Sequence, residues 1–235
     1  MADAVAVEMN GIAKKFARRW VLRGADLQVK RGEAVALMGK NGSGKTTMLR
    51  VVATLLRPTR GIGRVFGYDI IKEAADIRER IGVLGHHAGL YDDLTASENL
   101  RFSLRMAGLA HNASAVDKVL DEVGLTAERN ERVRGFSAGM RRRLALGRLL
   151  LRRPELLLLD EPYAAFDPAG IDLINTFARK ITEDGGTVIV VTHDYARARE
   201  AVSRVVRIEN GLVLEGLSGA SISPDDHALA VGEEQ

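Results

Sequence analysis

The chain of 235 residues contains no cysteine, and aromatic residues make up only 5% of it. The absence of cysteine excludes a disulfide scaffold, thiolate zinc sites and cysteine catalysis. No apolar run approaches the roughly 18 residues that a membrane-spanning helix needs, and the first residues lack the basic and apolar regions of a secretory signal. The net charge is only +3, too small to indicate a nucleic-acid-binding protein. We therefore expect a soluble α/β protein, in which any role at a membrane depends on a partner.

The order of strand and helix signals predicts one domain with an insertion. Apolar and polar positions alternate in the first 35 residues, which predicts a small antiparallel sheet feeding a buried strand at Glu33–Met38. The signal is helical from about residue 85 to 150, and strand signals return after it. The predicted parts are a domain at 1–215, with a core lobe at 1–84 and 151–215 and an inserted helical lobe at 85–150, and a polar tail at 216–235.

A glycine-rich turn between a predicted strand and a predicted helix matches the P-loop pattern. Glycines let the backbone curl so that its N–H groups point at phosphate oxygens, and the helix N-terminus adds positive charge at the same place. Lys45 can neutralise the β- and γ-phosphates, and Thr46 can supply an oxygen to Mg²⁺. A turn with a surface lysine is the alternative interpretation. The predicted nucleotide-binding residues here are Gly39, Lys40, Asn41, Gly42, Ser43, Gly44, Lys45, Thr46 and Thr47.

A run of four leucines, Leu156–Leu159, ends in two carboxylates. A strand buried on both faces explains the leucines, and its carboxyl end is where an open α/β sheet places ligands. Asp160 is expected to hold Mg²⁺, directly or through water, and Glu161 to polarise the water that attacks the γ-phosphate. Two solvated acids at a strand end are the alternative.

These two motifs, together with Phe136–Met140, Asp167 and His193, resemble an ATP-binding-cassette (ABC) ATPase over about residues 5–215. The resemblance implies a P-loop NTPase fold of the α/β class, with a RecA-like core, a small antiparallel β subdomain and an inserted helical lobe. It implies ATP and Mg²⁺ as ligands and hydrolysis of ATP as the activity. It also implies integral membrane permease subunits as partners, a location on the cytoplasmic face of the inner membrane, and no nucleic-acid partner.

The same resemblance implies roles for residues outside the two motifs. Phe16 lies where the family stacks an aromatic ring on adenine, and His193 where it has a histidine near the γ-phosphate. Ser137 and Gly139 match the signature motif that completes the site of an opposite subunit, and Asp167 matches the D-loop. The helix N-terminus at Ser137 is suited to bind an anion, but the phosphate site of the same chain is already formed by the P-loop. The nucleotide that Ser137 binds must therefore belong to a second copy. We therefore expect a head-to-tail homodimer with two ATP molecules between the subunits.

The residues of this second group also have simpler interpretations. Phe16 could be a core aromatic and Ser137 a helix N-cap. His193 could be a histidine at a strand end whose side chain hydrogen-bonds to the backbone.

The sequence departs from the family pattern in three places. Ala138 and Met140 replace a glycine and a glutamine of the signature, and the D-loop at 164–167 lacks its usual serine. The methyl group of Ala138 is harmless in a helix but costs about 1–2 kcal/mol if φ is positive. The third departure is His86, which stands where the family has the Q-loop glutamine and is expected to act near the attacking water. Metal binding by His86 with His87 is disfavoured, because adjacent strand residues point to opposite faces.

Within the family, the Gly-His pair before Ala88 and the Ser-Ala-Gly of the signature are similar to the cytochrome c maturation ATPase of the haem-exporter type. That resemblance implies ATP hydrolysis coupled to a membrane complex that handles haem. The alternative is the ATPase of an ABC-2-like exporter of drugs, lipids or polysaccharide, against which His86 counts. A soluble cassette acting on DNA or the ribosome would usually have two cassettes or a coiled-coil insertion. A nucleotide kinase would lack the signature motif and the switch histidine.

A basic stretch follows the signature motif. A solvated helix face is one interpretation, and docking to a membrane partner or to anionic headgroups is the other. Nucleic acid is disfavoured because no aromatic residues interleave to stack bases. The residues are Arg141, Arg142, Arg143, Arg148, Arg152 and Arg153.

Overall fold

The chain folds into two sheets and a group of helices. A computed structural model describes residues 4–85, 89–110, 112–164 and 166–214. The strands are β1 (Val5–Phe16), β2 (Arg19–Lys30), β3 (Ala34–Met38), β4 (Arg60–Val65), β5 (Tyr68–Asp69), β6 (Ile81–Leu84), β7 (Leu156–Asp160), β8 (Thr187–Val191), β9 (Arg204–Glu209) and β10 (Leu212–Leu214). The helices are α1 (Lys45–Val52), α2 (Ala74–Arg80), α3 (Ala96–Met106), α4 (Ala113–Glu122), α5 (Ala138–Arg152), α6 (Pro168–Glu183) and α7 (Tyr195–Ala198), with a 3₁₀ turn at Val133–Gly135.

The larger sheet has the strand order β10-β9-β3-β8-β7-β6, and its strands are parallel except for the terminal hairpin β9–β10. Every residue of β3, β7 and β8 is buried. Strands covered on both faces have no polar side to maintain, which is why they are almost uniformly apolar. The carboxyl ends of β3, β7 and β8 are neighbours, so the residues that follow them meet at one edge.

The smaller sheet is antiparallel, with the order β2-β1-β4-β5. Its main element is a long hairpin of two 12-residue strands, β1 and β2. This confirms the predicted antiparallel sheet and extends it, because both strands run past the segments in which the alternation was clear. The backbone carbonyl of Gly211, in the β9–β10 turn, accepts a 2.9 Å hydrogen bond from Arg23 N–H of β2 and joins the two sheets.

Several helices begin at a residue whose side chain caps the first turn. Asp167 is the N-cap of α6 with Pro168 at N1. Thr95 and Glu98 form a reciprocal capping box at the start of α3, with hydrogen bonds of 3.2 Å and 2.8 Å. Helix α1 ends at Val52, and the chain turns just after it at Thr54, with φ 58°.

Two elements were not predicted. Helix α2 and strand β6 lie in residues 74–84, just before the segment assigned to the helical lobe. Helix α2 has only 7 residues and no side-chain cap, and β6 has only 4 residues. Neither is long enough to give a clear period in the sequence.

Three hydrophobic clusters hold these elements together. One lies between the antiparallel sheet, α1 and one face of the large sheet, and a second lies on the opposite face under α5 and α6. The third joins α3, α4 and α5. Helix α5 contributes to two of them, with Leu146 in the second and Leu144 in the third. The exact lobe boundaries stay a prediction, and residues 216–235 lie outside the described residues. No helix in the described ranges is both long and apolar enough to cross a bilayer.

Candidate functional site

The turn after β3 has the tight backbone that the P-loop pattern predicts. Gly39, Gly42 and Gly44 all have positive φ, at 147°, 80° and 116°. A Cβ at Gly39 would overlap the carbonyl oxygen of Ile208, and one at Gly44 would lie 2.8 Å from the side chain of Leu22. Glycine suits all three positions because of their positive φ, and at Gly39 and Gly44 a side chain would also meet the neighbouring strands, whereas at Gly42 it would meet no atom within 4 Å.

Lys45 opens α1 and is buried, with 6% of its surface exposed. Its ammonium group donates hydrogen bonds to the carbonyls of Gly39, at 2.6 Å, and Lys40, at 3.1 Å. Burial lowers the pKa of Lys45, and the nearby carboxylates of Glu161 and Asp160 partly oppose this shift. The charge is thus fixed in place at the start of a helix, where an anionic ligand gains most from it.

The buried carboxylate Asp160, at the end of β7, is joined to the P-loop helix. The hydroxyl of Thr46 donates a 2.9 Å hydrogen bond to it. Both groups are hard oxygen ligands of the kind that Mg²⁺ prefers. The hydroxyl oxygen of Ser43 is also buried and has no hydrogen-bond partner within the described residues. A phosphate ligand with Mg²⁺ fits this set, because the loop presents a cation, oxygen ligands and an unpaired hydroxyl at one point.

Glu161 and His193 come together because they follow neighbouring strands, β7 and β8. Glu161 Oε2 lies 3.0 Å from His193 Nδ1. Glu161 has φ 47°, a left-handed conformation that costs a residue with a side chain roughly 1–2 kcal/mol. Its backbone N–H is held by a 2.8 Å hydrogen bond to the carbonyl of Val191. Strained residues of this kind persist where their surroundings fix them, and they are concentrated at functional sites.

A cavity of about 510 Å³ brings these groups into one space. It contains part of the predicted P-loop set, together with Glu161 and His193. It is also lined by Arg19 and Val21 of β2, which were not predicted. Nothing in the local sequence marks them, since they reach the site only through the packing of β2 against the P-loop. The complete lining is Arg19, Val21, Asn41, Gly42, Gly44, Lys45, Thr46, Thr47, Glu161, Ala164 and His193.

Phe16, the predicted adenine contact, is not among the residues that line this cavity. It is the last residue of β1, 46% exposed, and its ring centroid lies 5.2 Å from the ammonium of Lys14. An exposed ring does not fit the alternative of a core aromatic. Its predicted role toward adenine stays a prediction.

The signature residues lie on α5, apart from the cavity of their own chain. Ser137 is the N-cap, and its hydroxyl accepts a 3.2 Å hydrogen bond from Met140 N–H. Ala138 and Gly139 are the first residues of the helix. Ala138 is not among the residues with positive φ, so its methyl group carries no left-handed strain. Neither Ser137 nor Gly139 lines the P-loop cavity.

Asp167 caps α6 and pairs with α5. Its carboxylate accepts hydrogen bonds from Gly170 N–H, at 2.9 Å, and from Arg143, at 2.8 Å. These two contacts, the backbone one first, lower the pKa of Asp167. The D-loop position is thereby tied to the signature helix within one chain.

Most arginines of the basic stretch on α5 contact other parts of the same chain, unlike a solvated helix face, and docking of this stretch to a membrane partner stays a prediction. Arg142 donates to the carbonyls of Glu161, at 3.1 Å, and Pro162, at 3.0 Å. Most of the other arginines likewise bind acceptors on other elements, and among the six only Arg153 is exposed. These contacts are Arg141 with Asp92, Arg143 with Asp167, Arg148 with the Gly89 carbonyl and Arg152 with the Arg78 carbonyl. These contacts were not predicted, because the acceptors are far away in sequence.

His86, the predicted Q-loop replacement, and His87 lie outside the described residues. The role predicted for His86 therefore stays a prediction. Within the described residues, no group of three or more acidic or histidine side chains is arranged to hold a metal ion.

Comparison with known proteins identifies the family. A family model described as "ABC transporter" matches residues 22–164. The ABC transporter ATP-binding protein NatA of Bacillus subtilis (strain 168) is 36% identical over 82% of this chain and 80% of its own length. The daunorubicin resistance ATP-binding protein DrrA3 of Streptomyces coeruleorubidus is 38% identical over 91% of this chain and 68% of its own. The bacitracin transport ATP-binding protein BcrA of Bacillus licheniformis is 33% identical over 94% and 70%.

Solved structures agree with this assignment. An ATP-binding subunit of an ABC transporter superposes with a TM-score of 0.86 over 97% of this chain and all of its own, and at 24% identity it shows the fold alone. The ATP-binding cassette MJ0796, a dimer in a post-hydrolysis state bound to ADP and Pi, superposes with a TM-score of 0.82 at 28% identity, over 92% of this chain and all of its own. The predicted P-loop ABC-ATPase fold is confirmed. The chain belongs to the ATP-binding subunits of the ABC transporter family, which bind and hydrolyse ATP and act with membrane permease subunits.

Proposed function

We propose that the chain is the ATP-hydrolysing subunit of an ABC-2-type exporter of drug-like or antibiotic compounds. The haem-exporter hypothesis loses its support, because two of the three relatives named above are described by daunorubicin resistance and bacitracin transport. The subunit works as a head-to-tail homodimer on the cytoplasmic face of the inner membrane, bound to integral membrane permease subunits. The observation that carries the activity is the Glu161–His193 pair, 3.0 Å apart, in the same cavity as Lys45.

Binding of the nucleotide falls to the P-loop and its helix. Lys45 and the backbone N–H groups of residues 39–47 orient the phosphates and stabilise the negative charge that develops on them. Thr46 and Asp160 would hold Mg²⁺, which supplies further neutralisation of that charge when it is bound. When a nucleotide binds, Lys45 exchanges its hydrogen bonds to the Gly39 and Lys40 carbonyls for contact with phosphate. The new contact offsets the free energy of the lost hydrogen bonds, which water could not replace because Lys45 is buried.

The proposed base is Glu161. An ionised carboxylate only accepts hydrogen bonds, so the proton between the two groups belongs to His193 Nδ1. That hydrogen bond fixes one oxygen of Glu161 and leaves the other to orient the attacking water and accept its proton. Ser137 and Gly139 of the second copy complete the site with the N-terminus of their helix. Within each chain, the ion pair between Asp167 and Arg143 joins the D-loop to α5.

A glutamine substitution at the proposed base tests this mechanism. Glu161→Gln keeps the shape and the cavity but cannot accept a proton, so turnover of ATP is expected to fall by about 10²–10³ while ATP affinity changes little. The matched control is Glu183→Gln, at the exposed end of α6, which is expected to retain wild-type turnover. Normal hydrolysis by Glu161→Gln would refute the assignment of the base.

The cargo class is tested in cells. Deletion of the chain's gene is expected to lower the concentration of daunorubicin or bacitracin that arrests growth, and the wild-type gene but not Glu161→Gln should restore resistance. Loss of c-type cytochromes, with drug resistance unchanged, would contradict the exporter proposal and return support to haem handling.

A further inference from the structure

Within the described residues, four hydrogen-bond contacts hold Glu161 in its left-handed conformation, and one of them comes from the helix α5. The backbone N–H is fixed by the carbonyl of Val191 at 2.8 Å, and the side chain by His193 at 3.0 Å. Both partners belong to β8 or the residues that follow it. The backbone carbonyl of Glu161 accepts a 3.1 Å hydrogen bond from Arg142 of α5, besides a long contact of 3.4 Å from Ala164 N–H.

Arg142 also fixes the next peptide. The same terminal nitrogen donates to the carbonyl of Pro162 at 3.0 Å. A guanidinium has its donors in a rigid plane, so two carbonyls on one nitrogen define the position of the loop more closely than a flexible ammonium would. Burial lowers the pKa of Arg142, and the nearby carboxylate of Asp160 partly opposes this shift.

Arg142 stands on the helix whose first residues are the signature motif. It follows the N-cap Ser137 by five residues, about one and a half turns. A second link, between Arg143 and Asp167, joins the next residue of α5 to the far end of the same loop. Since a helix moves as a rigid body, a displacement at Ser137 is transmitted to both contacts.

We infer that Arg142 is a positioning residue, which makes the orientation of the Glu161 carboxylate depend on the position of the signature helix. This inference rests on the proposed function of Glu161 as the base. When Ser137 engages the nucleotide of the second copy, α5 holds the backbone of Glu161 in the conformation that aims its carboxylate at the water. Because Arg142 already holds the Glu161 carbonyl in the single chain, any shift of α5 on that engagement is passed to the Glu161 carboxylate.

The test compares Arg142→Gln and Arg142→Lys with the control Arg152→Gln. Arg152 is on the same helix and also donates to one backbone carbonyl, that of Arg78 at 3.3 Å, but it is far along α5 from the loop. Because a misplaced catalytic group costs up to about 10² in rate, Arg142→Gln is expected to lower kcat by about 10–100-fold with the KM for ATP within about threefold. Arg142→Lys should give an intermediate kcat, and Arg152→Gln a wild-type one.

Two further measurements separate positioning from a general structural role. In a Glu161→Gln background, Arg142→Gln should cause no further loss of turnover, because residues that act through one group are not additive. Amide hydrogen exchange of the segment around Glu161 should be faster in Arg142→Gln than in Arg152→Gln, while thermal unfolding shows that both variants are folded.

The outcomes distinguish the two proposals. Normal turnover by Glu161→Gln would contradict the proposed function itself. Normal turnover by Arg142→Gln beside an inactive Glu161→Gln would overturn only the inference about Arg142. An additive loss in the double variant, or unchanged hydrogen exchange around Glu161, would also overturn it.

Discussion

The loop after the catalytic strand is anchored by a buried hydrogen-bond chain that allows a quantitative test of its stability. Tyr163 is 3% exposed, and its hydroxyl donates a 2.8 Å hydrogen bond to the side-chain oxygen of Asn175 on α6. The amide nitrogen of Asn175 donates in turn to the carbonyl of Arg197 in α7, at 2.8 Å. Burial, with a smaller contribution from Asp194, raises the pKa of Tyr163, so the hydroxyl remains a donor throughout the neutral range.

Tyr163→Phe removes the donor and keeps the ring. Because Asn175 is only 4% exposed, its oxygen would be left buried without a partner, which destabilises a protein by about 1–3 kcal/mol. For a domain of this size each kcal/mol lowers Tm by roughly 2–4 °C. We therefore expect Tm to fall by about 2–12 °C, measured by circular dichroism on the nucleotide-free protein.

A double variant tests the cause of this loss. Adding Asn175→Leu to Tyr163→Phe removes both partners of the first hydrogen bond, so the double variant should be more stable than the sum of the single changes predicts. A Tm for Tyr163→Phe within about 1 °C of wild type, well below the shift expected from an unpaired buried group, would refute the reasoning. Strict additivity would refute it as well, since it would mean that the two side chains do not act through one bond.

Two other predictions concern the P-loop and the D-loop. Gly39→Ala should abolish ATP binding and lower Tm, because its Cβ overlaps the Ile208 carbonyl, whereas Gly42→Ala meets no atom within 4 Å and adds only the strain of its φ, about 1–2 kcal/mol. Titration with ATP, followed by the fluorescence of the single tryptophan, Trp20, checks this, and equal affinities would contradict it. Asp167 has a lowered pKa, so its contribution to stability is present above its unfolded value of 3.8 and is lost as pH falls through the lower folded value. Asp167→Asn should therefore flatten the acid dependence of urea unfolding below about pH 4, and an unchanged slope would contradict this.

Local chemistry explains what the sequence could predict. The P-loop glycines, the four leucines of β7 and the caps at Thr95 and Asp167 each depend on residues within one short segment. His193 was placed near the γ-phosphate only through the resemblance to the family, and it meets Glu161 because both residues follow neighbouring parallel strands.

Contacts between distant segments could not be predicted in this way. Arg142 finds its acceptors about twenty residues away, at Glu161 and Pro162. Arg19 and Val21 reach the P-loop cavity only because β2 packs against it. In the sequence, these side chains look like ordinary surface cations or strand residues, since nothing within their own segments identifies a partner.

Glu161, the proposed base, is held in position by its backbone more than by the side chains around it. Its peptide is held at the N–H by β8 and at the carbonyl by α5, while Tyr163, two residues on, is fixed to α6. These anchors offset the strain of a left-handed Glu161. A glycine there would relieve the strain but remove the base, so the conformation must be maintained by contacts from separate elements. Each of those elements can move the carboxylate, and α5 alone among them begins at the surface where a second copy is expected to bind.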